Sequence, residues 1–313
     1  MTAPAGEVIG KLKRHIASVY RGDSTAIDLV LTALLSRGHI LIEDVPGVGK
    51  TTLARALGRS LALDFRRVQF TSDTLPADVL GISVFHAPNN RFEFHPGPIF
   101  ANVVLADEIN RATPKTQSAL LQAMNEGCVT TDEATLPLPR PFLVVATQNP
   151  IEFVGTYPLP ESQLDRFFLR LSLGYPRAAA EKQLLQDGGA DRALEALEPV
   201  LDPAGVIALQ EEVERVRVSA KLLDYLYALI EATRRREDLR LPVSTRGAQA
   251  FYRAVQARAL LAGRDYAIPE DVQAMAEPVL AHRILTVSSD GYGTGRRERE
   301  LVRAILAEVP VPV

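Results

Sequence analysis

A three-layer α/β domain followed by a smaller helical domain is the fold class this sequence predicts, on three observations. Five short apolar runs rich in Val, Ile, Leu and Phe recur between residues 39 and 173: HILIEDV, FRRVQF, NVVLADE, FLVVATQ and FFLRLSL. They lack strict polar alternation, as parallel strands covered by helices on both faces do. Amphipathic stretches such as TLARALGRSLA (52–62) and QSALLQAMNE (117–126) separate them, giving the alternation of a parallel, five-stranded αβα sandwich. From about residue 177 the strand runs stop, and ALQEEVERV, KLLDYLYALIEA, RGAQAFYRAVQARALLA and EDVQAMAEPVLAHR carry apolar positions at helical spacing. Domains at 1–175 and 176–313 are expected, with the junction near Gly174 and Pro176.

The bulk numbers bound the function. With 313 residues, 47% hydrophobic and 23% charged, the chain is long and apolar enough to bury a core. A net charge of -3 and a pI near 6.0 argue against a protein whose main business is neutralising nucleic-acid phosphates. The single Cys128 allows no intramolecular disulfide, and the amino-terminal MTAPAGEVIGKLKRH lacks the apolar core of a signal peptide. A reducing, cytoplasmic setting is expected. IDLVLTALL (27–35) is too short to span a bilayer and contains Asp28, so it reads as a core helix.

Two segments break the α/β rhythm. Residues 71–98, where ISVFHA and RFEFH flank Pro88-Asn89-Asn90, read as a hairpin inserted in the second helix of the sandwich, and 127–141 as another. His86 and His95 on the first, the latter followed by Pro96 and with no thiol nearby, read as surface histidines and not as a metal site, while Cys128 reads as a small buried strand residue. Residues 185–203, with Gly188-Gly189 and two prolines, read as a mobile connection or a broken helix pair.

The chemistry starts at EDVPGVGKTT (43–52), between a predicted strand and helix. It ends as a phosphate-binding loop does, yet Asp44 stands where the pattern G-x-x-x-x-G-K-[ST] opens with glycine. Across Pro46, Gly47, Val48, Gly49, Lys50, Thr51 and Thr52 the backbone amides can turn toward phosphate oxygens, the glycines leaving no Cβ in the way. Lys50 would meet the β and γ phosphates and Thr51 would hold Mg²⁺. Asp44 lies at the strand end, before the amide nest, so its carboxylate can point away from the anion.

NVVLADE ends in two carboxylates: Asp107, placed for the metal and its water shell, and Glu108, placed to polarise the attacking water. Asn149 after the fourth run can orient that water. Arg166, before the fifth, can pair with Asp165 or reach the γ phosphate of a neighbouring subunit.

These blocks resemble the AAA+ ATPases and, within them, the MoxR family: LIEDVPGVGKTTLARAL, VQFTSDTLPADVLG, FEFHPGPIFANVVLADEINRATPKTQSALLQAMNEG and FLVVATQNPIEFVGTYPLPESQLDRF stand in the family's order and spacing. The resemblance implies a Walker A at Lys50 and Thr51, a Walker B at Asp107 and Glu108, sensor 1 at Asn149 and an arginine finger at Arg166, with Arg170 as the fallback and Arg111 as a weaker candidate for subunit contacts. LPVSTRGAQAF (241–251) resembles the sensor 2 segment, placing Arg246 at a helix start beside the Ser244 cap. The family commonly has glycine at Asp44. The resemblance further implies ATP and Mg²⁺ as ligands, a ring oligomer, most simply a hexamer, hairpins that grip a client, and a partner carrying a von Willebrand factor A domain. It fades after about residue 285, where VSSDGYGTGRRERE reads as turn-rich. A nucleic-acid motor is the competing class; the acidic balance and RFEFH, with one arginine against one glutamate, weigh against it.

Overall fold

The computed structural model describes residues 5–131, 134–150, 155–187, 189–287 and 295–312; residues 288–294 of the expected turn-rich segment lie outside it. Two helices come first, α1 (Ala5–Val19) and α2 (Ser24–Leu35). Asp23 starts the second by accepting from the Thr25 amide, a donor the helix itself leaves without a partner. The alternation then runs β1 (Ile40–Glu43), α3 (Lys50–Ser60), β2 (Phe65–Gln69), α4 (Pro76–Leu80), β3 (Gly81–His86), β4 (Arg91–Pro96) and β5 (Val103–Asp107). It continues through α5 (Pro114–Glu126), β6 (Cys128–Thr130), β7 (Thr135–Pro137), β8 (Leu143–Gln148), α6 (Glu161–Leu164) and β9 (Leu169–Leu171).

Five of these strands form one parallel sheet in the order β2-β5-β8-β1-β9. From β1 the chain travels toward β2 at one edge, whereas from β8 it crosses β1 to reach β9 at the other. That reversal opens a crevice outside the carboxyl ends of β1 and β8, where open α/β sheets bind ligands.

In the central strands β1, β5 and β8 side chains alternate between two buried faces, which explains their apolar runs, while the edge strand β2 is largely exposed. Ile40, Ile42, Val103, Leu105, Leu143 and Val145 enter one core with α1, α2 and α3. Leu41, Val104, Ala106, Val144 and Ala146 enter a second with Val79 of α4 and Leu120, Leu121 and Met124 of α5.

β3 and β4 form the first expected hairpin, paired from Gly81↔Pro96 to His86↔Arg91. It does not interrupt a helix: α4 runs directly into β3, and no helix resumes before β5. Gly81 permits this turn, at φ 114° and with His95 O only 2.4 Å from where a Cβ would lie. Ile82, Val84, Phe85 and Phe92 are exposed on the hairpin, as are His86 and His95. β6 and β7 form the second hairpin, and Cys128 there is half-buried, less enclosed than expected because the short β6 is covered on one side only.

The carboxyl-terminal part contains α7 (Ala178–Asp187), α8 (Asp191–Glu195), α9 (Pro203–Arg215), α10 (Ala220–Arg235), α11 (Thr245–Leu261), α12 (Pro269–Leu280) and α13 (Arg296–Glu308). The break expected within 185–203 separates α7 from α8. One small antiparallel pair, β10 (Leu239–Leu241) with β11 (Leu285–Thr286), accompanies the helices. No helix among the described residues is long and apolar enough to cross a membrane.

Candidate nucleotide site

The crevice at the carboxyl ends of the sheet is a cleft of about 370 Å³ lined by Pro46, Gly47, Gly49, Lys50, Thr51, Thr52, Arg67, Gln69, Asp107, Glu108 and Asn149. The loop from β1 to α3 forms its floor. Gly47 and Gly49 sit at φ 84° and 91°, in the left-handed region that disfavours side chains. At Gly47 a Cβ would meet nothing within 4 Å, so glycine is required there by conformation and not by space. Val48 turns its side chain into the core and leaves only its backbone for a ligand. The amino terminus of α3, with its unpaired amides and positive dipole end, faces the cleft.

Lys50 Nζ donates to Asp44 O at 2.5 Å. Burial pulls its pKa down, while Asp44, Asp107 and Glu108 pull the other way.

Asp44 is turned out of the cleft. Its Oδ2 accepts from Ser172 Oγ (2.8 Å), Leu173 N (2.7 Å) and Gly174 N (2.7 Å), and its Oδ1 from Val45 N (2.9 Å). Four donors satisfy the oxygens of this buried carboxylate beside the glycine loop.

The two carboxylates after β5 are held from neighbouring strands. Thr147 Oγ1 of β8 donates to Asp107 Oδ1 at 2.6 Å and accepts the Glu108 amide at 2.9 Å. Arg67 of β2 reaches Asp107 Oδ2 at 2.7 Å, and Gln69 Nε2 reaches Glu108 Oε2 at 2.9 Å. Arg111 pairs with the same Glu108 oxygen at 2.8 Å, so the residue expected at subunit contacts is engaged here within the chain. Glu108 itself has φ 57°, a left-handed backbone state uncommon for non-glycine residues, shared here by Arg37, Ala62 and Asn90 away from the cleft.

Of the expected site residues, Pro46, Gly47, Gly49, Lys50, Thr51, Thr52, Asp107, Glu108 and Asn149 are brought together. Arg166 and Arg246 are not among the cleft residues. Arg166 lies in the turn between α6 and β9, half-exposed, and Asp165 pairs with Arg283 at 3.0 Å instead of with it. Arg246 is exposed in the first turn of α11, after the Ser244 cap that accepts from Gly247 N at 3.0 Å. Arg170, the fallback finger, is mostly buried on β9: its Nη1 pairs with Glu43 of β1 at 3.2 Å, and its Nη2 lies against Gly295 at the start of α13.

Arg67, Gln69 and Thr147 are the site residues that sequence reasoning missed. FRRVQF reads simply as a strand. The available signal was period two, which puts residues 67 and 69 on one face, next to the strand carrying the carboxylates. Thr147 sits two residues before Asn149 in an otherwise apolar run.

A glycine loop between strand and helix, paired carboxylates on an adjacent strand and a polar strand end beside them define a P-loop ATPase with a helical lid. The model of the ATPase family associated with various cellular activities (AAA) matches residues 39–169, and the AAA lid domain matches 231–305. The chain is 48% identical to the uncharacterized protein YeaC of Bacillus subtilis over 98% of its length and 95% of that protein. It is 37% identical to chaperone MoxR1 of Mycobacterium tuberculosis, covering 96% of this chain and 82% of the other. A crystal structure of an ATPase candidate from Cytophaga hutchinsonii superposes with a TM-score of 0.89 at 34% identity, over 99% of this chain and 96% of that one. The chain belongs to the MoxR family of AAA+ ATPases and is an ATP hydrolase.

Proposed function

We propose that the chain hydrolyses ATP in a ring, most simply of six copies, where Arg166 of one copy completes the cleft of the next, and that turnover remodels, matures or assembles a partner protein. The observation that carries this reading is the split of the site. Lys50, Thr51, Asp107, Glu108 and Asn149 converge on one cleft, while Arg166 stands away from it without a side-chain ion pair to Asp165. An arginine that acts at a γ phosphate from there acts on another copy. The partner expected from the family resemblance carries a von Willebrand factor A domain. The cytoplasm is the expected compartment.

In this mechanism the loop amides and Lys50 hold the phosphates, and Lys50 gives up Asp44 O to do so. Thr51 and Asp107 would hold Mg²⁺; their all-oxygen donor set suits a hard cation, which neutralises phosphate charge when bound. Arg67 already holds Asp107 Oδ2, so a cation taken up at that oxygen would compete with the guanidinium. Glu108 takes up the proton of the attacking water once Gln69 and Arg111 free its Oε2. Asn149, on the next strand, orients that water, and Arg246 follows the nucleotide as the lid moves.

Three variants separate the roles. Lys50→Ala is expected to lose ATP binding, and Glu108→Gln to bind ATP and stall. Arg166→Ala is expected to keep nucleotide but lose turnover by about 10³- to 10⁵-fold, the range for such fingers. Normal hydrolysis by Arg166→Ala removes the finger assignment. Pull-down with the stalled Glu108→Gln protein and ATP should retain the partner. Salt-sensitive retention of DNA instead would favour the nucleic-acid class.

A further inference from the structure

The turn that carries Arg166 is fastened to the lid on both sides of that residue. Before it, Asp165 accepts from Arg283 Nε at 3.0 Å and from Ser244 Oγ at 3.2 and 3.1 Å. After it, Phe167 O accepts from Arg283 Nη2 at 2.6 Å and lies 3.0 Å from His282 Nε2, and Phe168 O accepts from Arg283 Nη1 at 2.9 Å. Arg283 Nη1 also meets Val279 O of α12. Arg283 and His282 form the turn Ala281–Arg283 that follows α12, and both are buried.

The clasp has the form of a coupling. Burial pulls the Arg283 pKa down to about 10, against the pull of Asp165, so the guanidinium remains charged at neutral pH. Its planar fork fixes direction as well as distance, which a lysine would not do. Ser244 is at once a partner of Asp165 and the cap of α11, one turn of which carries Arg246. One carboxylate therefore joins the start of the helix that would sense a copy's own nucleotide to the turn bearing the arginine that copy would offer its neighbour. A cleft of about 380 Å³, lined in part by Glu161, Asp165, Arg240, Ser244 and Arg283, lies beside the junction and gives it room to shift.

We propose that Asp165, held by Ser244 and Arg283, is a positioning residue that transmits the lid's state to Arg166, so that the nucleotide in one copy sets the finger presented to the next. This rests on the ring reading above. Arg283 substitutions risk unfolding, so the test uses Asp165→Asn and, as an independent variant, Ser244→Asp. The latter keeps a good helix cap while facing Asp165 with a like charge.

Both variants should hold KM for ATP within about twofold and lose kcat by about 10- to 100-fold, the scale of a misplacement near one ångström. Mixed into rings with Glu108→Gln, whose own site is dead but whose Arg166 is intact, they should regain a rate above that of either protein alone. A loss of stability alone would not produce that recovery. The control is Arg166→Ala mixed with Glu108→Gln. If the control recovers and the Asp165→Asn and Ser244→Asp mixtures do not, or if these variants keep a normal kcat, the coupling is wrong while the ring stands. If the control itself fails to recover, the ring reading falls and the coupling with it.

Discussion

On the mechanism proposed above, Asp107 is the carboxylate that would meet the cation. Thr147 fixes one oxygen and Arg67 the other, so the carboxylate is oriented but one oxygen is contested by a permanent cation. Arg67→Ala should therefore lower the Mg²⁺ concentration needed for half-maximal hydrolysis; an unchanged or higher requirement would show that Arg67 does not compete. His39 illustrates a different residue-scale effect. Its Nδ1 accepts from Val144 N at 3.0 Å, so the ring proton sits on Nε2 and donates to Met124 O at 3.0 Å. Burial lowers its pKa from 6.5 to about 4. Because the folded value lies below the unfolded one, the unfolded chain takes the proton first as pH falls. The contribution of His39 is whole above about pH 6.5 and is lost on going down to about pH 4, a loss of about 3 kcal/mol. Buried His282 shifts the same way. His39→Gln should flatten the fall of Tm across that window; an unchanged slope would clear the imidazole. The sequence gives Lys50, Thr51, Asp107 and Glu108 away because they lie in contiguous motifs. It hides Arg67 and His39 because their partners are about 40 and 105 residues distant.

At the scale of elements, Asp44 ties the end of β1 to the chain leaving β9, where Gly174 turns into the helical part. The departure from glycine is thus a structural clamp at the domain junction, and its carboxylate is occupied away from the cleft. An amide cannot replace it, since all four partners are donors and an asparagine would aim its own N–H groups at some of them. Asp44→Ala should destabilise the chain by about 3 kcal/mol, by leaving buried donors unmet, yet reduce ATP affinity far less than Lys50→Ala does. Urea unfolding and nucleotide titration check the two halves. A variant of full stability that binds ATP more tightly would mean that the carboxylate faces the phosphates. Element types were readable where a period ran for several residues: the five sheet strands, the hairpins and helices α2, α3, α5 and α9 to α12. β10 and β11 were not, because strands of three and two residues contain too little of any period, and their pairing is decided by the helices around them. α13 was misjudged, since RRERE, expected in a turn-rich segment, opens that helix.

Over the whole molecule, the change from strands to helices near residue 176 is not a break in the apolar core. The cluster that covers one face of the sheet runs through α2 into Val206 and Leu209 of α9 and Phe251 and Val255 of α11. Asp28 of α2 pairs with Lys13 of α1 at 2.8 Å and with Arg258 of α11 at 2.7 Å, and Gln210 of α9 donates to Leu34 O at 2.7 Å. A lid sharing so much buried surface with the first two helices cannot unfold alone without exposing them, and exposed apolar area carries a free-energy cost of about 25 cal/mol per Å². Body and lid should therefore open together, and native-state hydrogen exchange can measure this. The slowest amides of β8 and of α11 should exchange with the same free energy and respond equally to low denaturant, as members of one cooperative unit do. If α11 instead exchanges through a separate, lower-energy opening while β8 stays protected, the core is divided in energy at residue 176 although it is continuous in space.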